Sequence, residues 1–166
     1  IAVVKAPAAG AALAREMSLA VINDSVGAAG TIYLQTIEYQ KTRVQFERPL
    51  AQFQALKHRA ANMHIQREIA RHQAAQAVAN ASGPDAAIWP MLCKASVTDS
   101  FAFIGAECVQ LHGGVGFSWE FDCHLYLKRA KLNQTLVGTN ETQIDSAFDA
   151  MVAAVKEGRS TLELPL

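Results

Sequence analysis

The sequence predicts an all-α protein, an up-and-down helical bundle, and three observations carry that prediction. Of its 166 residues 51% are hydrophobic but only 7% aromatic, a balance weighted to alanine, which is the best helix former and a poor strand residue. Apolar residues recur at helical spacing through long proline-free stretches. Short breaks bearing proline or glycine separate those stretches, as in helices joined by tight loops and packed side by side.

Residues 1–10 carry Pro7 and Gly10 and read as a linker or lead-in, which leaves residues 11–166 as the helical domain. A chain that opens on Ile1 rather than methionine reads as a fragment or a processed product. The first helix is expected from Ala11 to Phe46, with Leu19, Ile22, Val26, Ala29, Tyr33 and Ile37 as its apolar stripe. Pro49 stops it, because proline and the residue before it resist αR geometry. Within it, Gly27, Ala28, Ala29 and Gly30 are small enough to admit a neighbouring helix.

A second helix is expected from Ala51 to Asn80, striped by Leu56, Ala60, Met63, Ala70, Ala74 and Ala77 and broken by Ser82-Gly83-Pro84. A third runs from Asp85 to Leu111, with Ala95, Thr98, Ala102, Ala106 and Val109 on one face and Pro90 near its start. After a glycine cluster, Ser118 is expected to cap a shorter helix, with Glu120 and Asp122 in its first turn and Lys128, Arg129 and Lys131 in its last. That charge order complements the helix dipole. A last helix, Asn140 to Lys156, follows Gly138-Thr139. Helices near 30 residues are long for such a chain and suit an oligomer interface.

Composition excludes several classes. Fifteen basic and 15 acidic residues give no net charge, so neither nucleic acid nor an anionic membrane is an expected partner. Cys93, Cys108 and Cys123 form no Cys-x-x-Cys pair, which points to a reducing, cytoplasmic setting without disulfides. No apolar run reaches the roughly 18 residues a membrane helix needs. The five histidines lack ligand spacing, and no serine or cysteine sits in a nucleophile context, so neither a metal nor covalent catalysis is expected.

Four stretches carry chemistry. Gln110-Leu111-His112-Gly113-Gly114-Val115-Gly116-Phe117 places three glycines in four residues. Such backbone adopts positive φ and approaches a ligand closely, or it simply ends a helix. Arg43-Val44-Gln45-Phe46 offers a guanidinium fork for phosphate or carboxylate, or a cation serving its own helix terminus. Phe53-Gln54 pairs a ring with an amide, or is a core ring beside a surface glutamine. Gly138-Thr139-Asn140-Glu141 opens a helix whose free N–H groups suit an anion, though capping explains the same residue types.

In this order and spacing, from about Leu13 to Val155, these motifs resemble the C-terminal helical domain of the acyl-CoA dehydrogenases, flavoproteins that oxidise acyl-CoA thioesters to 2-enoyl-CoA. The run from Gln110 through Ser118-Trp119-Glu120 to Lys128-Arg129 is similar to an actinobacterial branch acting on steroid side chains and other bulky acyl groups. The resemblance implies FAD held across a subunit interface. Arg43 is then expected at the pyrophosphate of a neighbouring subunit's FAD, with Gln45, Phe46, Phe53 and Gln54 beside it. Gln110, Gly113 and Gly114 are expected at the adenosine-diphosphate portion, and Thr139 and Glu141 face the cofactor.

One departure redirects the functional expectation. The family's catalytic glutamate immediately precedes Gly-Thr, where this chain has Val137, which cannot accept a proton. Relatives that place the base on the first helix align it with Met17, and Glu16 beside it is rotated about 100° around the helix. Glu47 replaces a glycine, and Lys128-Arg129 replaces an Arg-Asp pair. The expectation is an acyl-CoA dehydrogenase chain that helps hold FAD while a partner subunit supplies the base, as in an αβ heterotetramer, with acyl-CoA as the substrate of the whole. The alternatives are a flavin monooxygenase or oxidase of the same fold, and a non-catalytic helical oligomerisation module.

Overall fold

A computed structural model describes residues 7–83 and 85–160. The proline of the Ser82-Gly83-Pro84 break and residues 1–6 of the lead-in lie outside the described residues. Among the described residues five α-helices form the bundle: α1 (Pro7–Thr42), α2 (Gln54–Ala79), α3 (Ile88–His112), α4 (Cys123–Thr135) and α5 (Asn140–Lys156). Between α1 and α2 lies a two-stranded antiparallel hairpin, β1 (Val44–Gln45) and β2 (Arg48–Pro49), in the register Val44↔Pro49 and Gln45↔Arg48.

The all-α expectation holds, with local corrections. Helix α1 begins four residues before Ala11 and ends at Thr42 rather than Phe46, because Arg43–Pro49 leave the helix for the hairpin. A 3-10 turn at Leu50–Gln52 takes the expected start of the second helix, so α2 opens at Gln54. Helix α3 opens at Ile88, where Pro90 falls in the first turn and lacks only an N–H that would have no helical partner anyway. Ser118 does not cap α4. Its hydroxyl donates to Val115 O at 2.8 Å and accepts from Glu120 N at 3.3 Å, closing the glycine turn instead. Glu120 therefore precedes α4, Asp122 takes the cap position without a capping side-chain bond, and Lys128, Arg129 and Lys131 lie before the last turn, which reaches Thr135.

Helix α3 is the axis of the bundle. It packs on α1, α2, α4 and α5, and 16 of its 25 residues are buried. That burial explains a miss: Ala106, expected inward, shares with Asp99, Phe103 and Gln110 the one stripe of α3 left facing solvent. One core cluster joins Ala29, Ile32, Met63, Phe101, Ile104, Cys108 and Ala130; a second joins Ile22, Ala70, Ala74, Ala77, Cys93 and Val97. Alanines on α2 let helices approach without leaving voids. Two buried hydroxyls on the inner face of α1 are satisfied within their own helix, Ser25 Oγ and Thr36 Oγ1 donating to Val21 O and Ile32 O at 2.8 Å.

The close helix crossing lies elsewhere than expected. A Cβ at Gly27 would touch nothing within 4 Å, and one at Gly30 would meet only the Arg67 side chain at 3.6 Å. At Gly105 it would come 3.3 Å from the Leu127 backbone, so α3 and α4 meet there. Asp24 and Arg129 join α1 to α4 (Nε–Oδ2 2.9 Å), which holds the Asp24 carboxyl below the usual carboxylate range. Arg159 clamps Asp85 with two bonds of 2.6 and 2.9 Å, tying the end of α5 to the start of α3.

Candidate functional site

At one end of the bundle the chain turns sharply out of α1. Phe46 (φ 52°) and Glu47 (φ 65°) take the left-handed conformation at the hairpin tip, the geometry a two-residue hairpin turn requires and glycine supplies most readily. This accounts for the glycine that Glu47 replaces. Phe46 is 84% exposed and meets Phe53 edge-on at 6.1 Å, while the Arg48 guanidinium lies 4.1 Å over the Phe53 ring. Arg43 joins helix to hairpin through its backbone: its N–H donates to Tyr39 O (2.8 Å) and its carbonyl accepts from Leu50 N (2.9 Å). The Arg43 side chain is exposed, and among the described residues no ion pair engages it. Gln45 and Gln54 are exposed, the latter 3.4 Å from the His58 ring.

The glycine turn lies at this same end. Helix α3 stops at His112, and Gly113 (φ 65°) leads into the 3-10 turn Gly113–Phe117. Its glycines divide by role. A Cβ at Gly113 or Gly114 would meet nothing within 4 Å, whereas one at Gly116 would lie 2.6 Å from Val109 O. Gly116 is thus required by packing, while Gly113 and Gly114 present open backbone beside exposed Gln110 and Phe117. Beneath them His112 is buried, its Nδ1 donating to Cys108 O at 2.8 Å and lying 3.3 Å from Cys123 Sγ. Burial pushes the His112 pKa down. Tyr39 stacks on the imidazole at 4.2 Å, so one aromatic contact joins the Arg43 hairpin to the glycine turn.

The Gly138 stretch is built differently. After α4 ends, Val137 (φ 61°) and Gly138 (φ 99°) turn the chain into α5. A β-branched residue in the left-handed region is a genuine outlier, and the surroundings impose it. Gln143 Nε2 donates to Val137 O at 2.5 Å. The fully buried Lys94 donates to Gly138 O (2.8 Å), Gln134 O (2.9 Å) and Asn140 Oδ1 (3.0 Å). Asn140 also accepts from Thr98 Oγ1 (3.1 Å) and donates to Ala95 O (3.1 Å) and Asp99 Oδ1 (2.7 Å). Thr139 caps α5, accepting from Thr142 N at 3.3 Å. Glu141 is exposed, and hydrogen bonds from its own backbone N–H and from the Thr139 hydroxyl hold its carboxyl below the usual range.

Within one chain the sequence-predicted residues therefore form two groups. Arg43, Gln45, Phe46, Phe53, Gln54, Gln110, Gly113 and Gly114 gather at one end. Thr139 and Glu141 lie near Asp99, about 20 Å away along α3 at 1.5 Å per residue. Val137 offers only hydrocarbon to its surroundings. Met17 is 46% exposed, and the Glu16 carboxylate is engaged by Arg15 at 3.0 Å. Sequence reasoning missed Lys94, and it placed Thr98 on the inner face and Asn140 at the start of the last helix without the network that joins them. The available signal was a lone lysine inside the most apolar of the helical stretches. Among the described residues no His, Cys, Asp or Glu cluster could hold a metal, and no helix is long and apolar enough to cross a membrane.

Comparison with known proteins bears on this arrangement. The family "acyl-CoA dehydrogenase, C-terminal domain" matches residues 11–152. The acyl-CoA dehydrogenase IpdE2 of Mycolicibacterium smegmatis is 36% identical over 132 residues, covering 80% of this chain and 41% of that protein. Butyryl-CoA dehydrogenase of Megasphaera elsdenii shares the fold with a TM-score of 0.80 and 29% identity, over 86% of this chain and 38% of that one. A variant of the Tcur3481-Tcur3483 steroid ACAD does so with a TM-score of 0.78 and 26% identity, over 84% of this chain and 39% of that one. The chain thus spans about two-fifths of the length of these relatives.

Proposed function

Because the chain belongs to the acyl-CoA dehydrogenase family, through that family's C-terminal domain, we propose that it forms part of an FAD site shared between subunits and leaves proton abstraction to a partner. The family is FAD-dependent. In the proposal, residues 11–166 are the C-terminal domain of a longer acyl-CoA oxidoreductase working in the cytoplasm, preceded by a lead-in over residues 1–10 whose last four residues already belong to α1. Its substrates are bulky, steroid-like acyl-CoA thioesters, a reading supported by the likeness to a steroid ACAD.

The chemistry of the hairpin end fits the cofactor. An exposed Arg43 guanidinium, in no ion pair among the described residues, suits a pyrophosphate. Gly113 and Gly114 leave room for close approach to the backbone, and the exposed Gln45, Gln54 and Gln110 amides can bond polar ring and ribose edges. Phe46 and Phe53 supply apolar surface beside them. Thr139 and Glu141, about 20 Å off along α3, would serve a second FAD in the assembly. Such a division is the expected signature of a site completed across subunits. When bound, the flavin supplies the hydride acceptor; this chain's residues hold, orient and shield it.

The observation that carries the proposal is Val137 in the left-handed turn before Gly138-Thr139. The loop is retained, and the side chain that should take the α-proton is hydrocarbon. We assign the base to the partner chain of a heteromeric, αβ-type assembly.

The test is co-expression of the full-length protein with a neighbouring dehydrogenase-like gene, scored by flavin content and acyl-CoA oxidation. Activity is expected only from the pair, and full activity of the homo-oligomer would overturn the assignment. Arg43→Ala should weaken flavin retention at least tenfold, the loss of about 1.5–3 kcal/mol for a charged hydrogen bond, with the melting temperature unchanged.

A further inference from the structure

Lys94 is among the largest side chains with no solvent exposure, and the charge it carries is costly to bury unless every donor is used. Its three partners lie on three different parts of the chain. Gln134 O belongs to the last turn of α4, Gly138 O to the connecting loop, and Asn140 Oδ1 to the first residue of α5. An ammonium has three donors and no acceptor, so the set is complete. One side chain projecting from α3 thereby fixes where α4 stops, how the loop turns and where α5 begins.

The strained residue lies inside that arrangement. Val137 precedes the carbonyl that Lys94 holds, and Gln143 holds Val137's own carbonyl from the other side. A left-handed β-branched residue is strained and persists only where its surroundings over-determine it. The Asn140 bonds to Thr98, Ala95 and Asp99 secure the same loop against α3. Simple termination of α4 would require none of this, since its end could open to solvent.

We infer that Lys94 is the positioning residue of loop 136–139: by engaging Gln134 O, Gly138 O and Asn140 Oδ1 it holds residue 137 in one backbone conformation and so fixes the direction of whatever side chain stands there. Its catalytic consequence rests on the proposed role of position 137; the structural assignment does not. In this chain the holder outlasts the base. A carboxylate restored at 137 should enter a loop already shaped to aim it.

Hydrogen exchange on the full-length protein tests the structural half. Lys94→Met keeps the stem and removes all three donors. Amides of residues 138–143 should exchange about tenfold faster or more, with α1 and α2 amides within about twofold of the parent. Unchanged exchange in the loop, or a rise spread evenly over all helices, would overturn the inference. Should Lys94→Met not fold, Lys94→Gln takes its place under the same criteria.

Kinetics test the catalytic half in Val137→Glu. Adding Lys94→Met should lower kcat about tenfold with KM within about twofold, the pattern of a misaimed group rather than lost binding; an unchanged kcat overturns this half. If Val137→Glu alone is inactive while the loop still loosens without Lys94, the positioning role stands and the reading of position 137 fails.

Discussion

The Tyr39 ring lies against the His112 imidazole with centroids 4.2 Å apart and planes 20° from parallel. The Tyr39 hydroxyl reaches back to His112 O at 3.5 Å, and Phe121 closes the stack, with centroids 5.2 Å from Tyr39 and 5.0 Å from His112. Tyr39 stands four residues before Arg43 and His112 one before Gly113, so this buried contact sets the relation between the guanidinium and the open glycine backbone.

Protonating His112 should therefore loosen that end. Its pKa is lowered in the folded chain from the ordinary 6.5, with burial the main cause. The unfolded chain then binds more protons just below pH 6.5, so stability is full above that pH and falls as pH drops toward the folded value. A melting series from pH 7.5 to about pH 5 should show this decline, and His112→Gln should flatten it. Asp24, Asp85 and Glu141, whose pKa values are also lowered, lose their contributions at lower pH, so the step near 6.5 is separable.

Gly114→Ala and Gly116→Ala should behave oppositely. At Gly116 a methyl would sit 2.6 Å from the Val109 carbonyl, a backbone atom that cannot swing aside. Denaturant unfolding should show a loss of about 1–3 kcal/mol, the usual cost of overpacking. At Gly114 the methyl meets nothing within 4 Å, so stability should be nearly unchanged. If the proposed flavin site is right, flavin retention by the full-length assembly should fall there instead, because the added carbon would enter the space proposed for the cofactor.

Val137→Asn should stabilise the chain. Asparagine tolerates the left-handed region better than a β-branched residue does, and the backbone there stays at φ 61° while Lys94 and Gln143 hold the neighbouring carbonyls. Relief of about 1 kcal/mol would raise the melting temperature by roughly 2–4 °C. A lower melting temperature would mean that the packing of the half-buried valine outweighs its strain.

Where the sequence was legible, one helix face spoke for itself. The α2 stripe from Met63 to Ala77 is buried as its spacing predicts, and α5 runs from Asn140 to Lys156 with Thr139 as its cap. Helix α3 was harder, because a helix covered on nearly all sides loses its periodicity, and Ala106 was misplaced for that reason. The hairpin was hidden as well. Phe46-Glu47 is not a turn dipeptide by propensity, and the backbone bonds of Arg43 to Tyr39 and Leu50 hold the base of the hairpin in place.

The sequence by itself determined the helices, the family, and the kinds of residue available for a flavin: a guanidinium, three amides, three clustered glycines, and a valine where a carboxylate is expected. Those follow from local spacing and residue chemistry, which neighbours along the chain suffice to express. Only the tertiary structure decided that these residues form two groups at separate places along α3, that Gly116 serves packing while Gly113 and Gly114 stay open, and that Lys94 holds the loop of Val137. Each depends on atoms brought together across some forty residues or more, or on space that a neighbouring helix fills or leaves empty. Lys94 reaches Gln134, Gly138 and Asn140 only because α4 folds back antiparallel on α3.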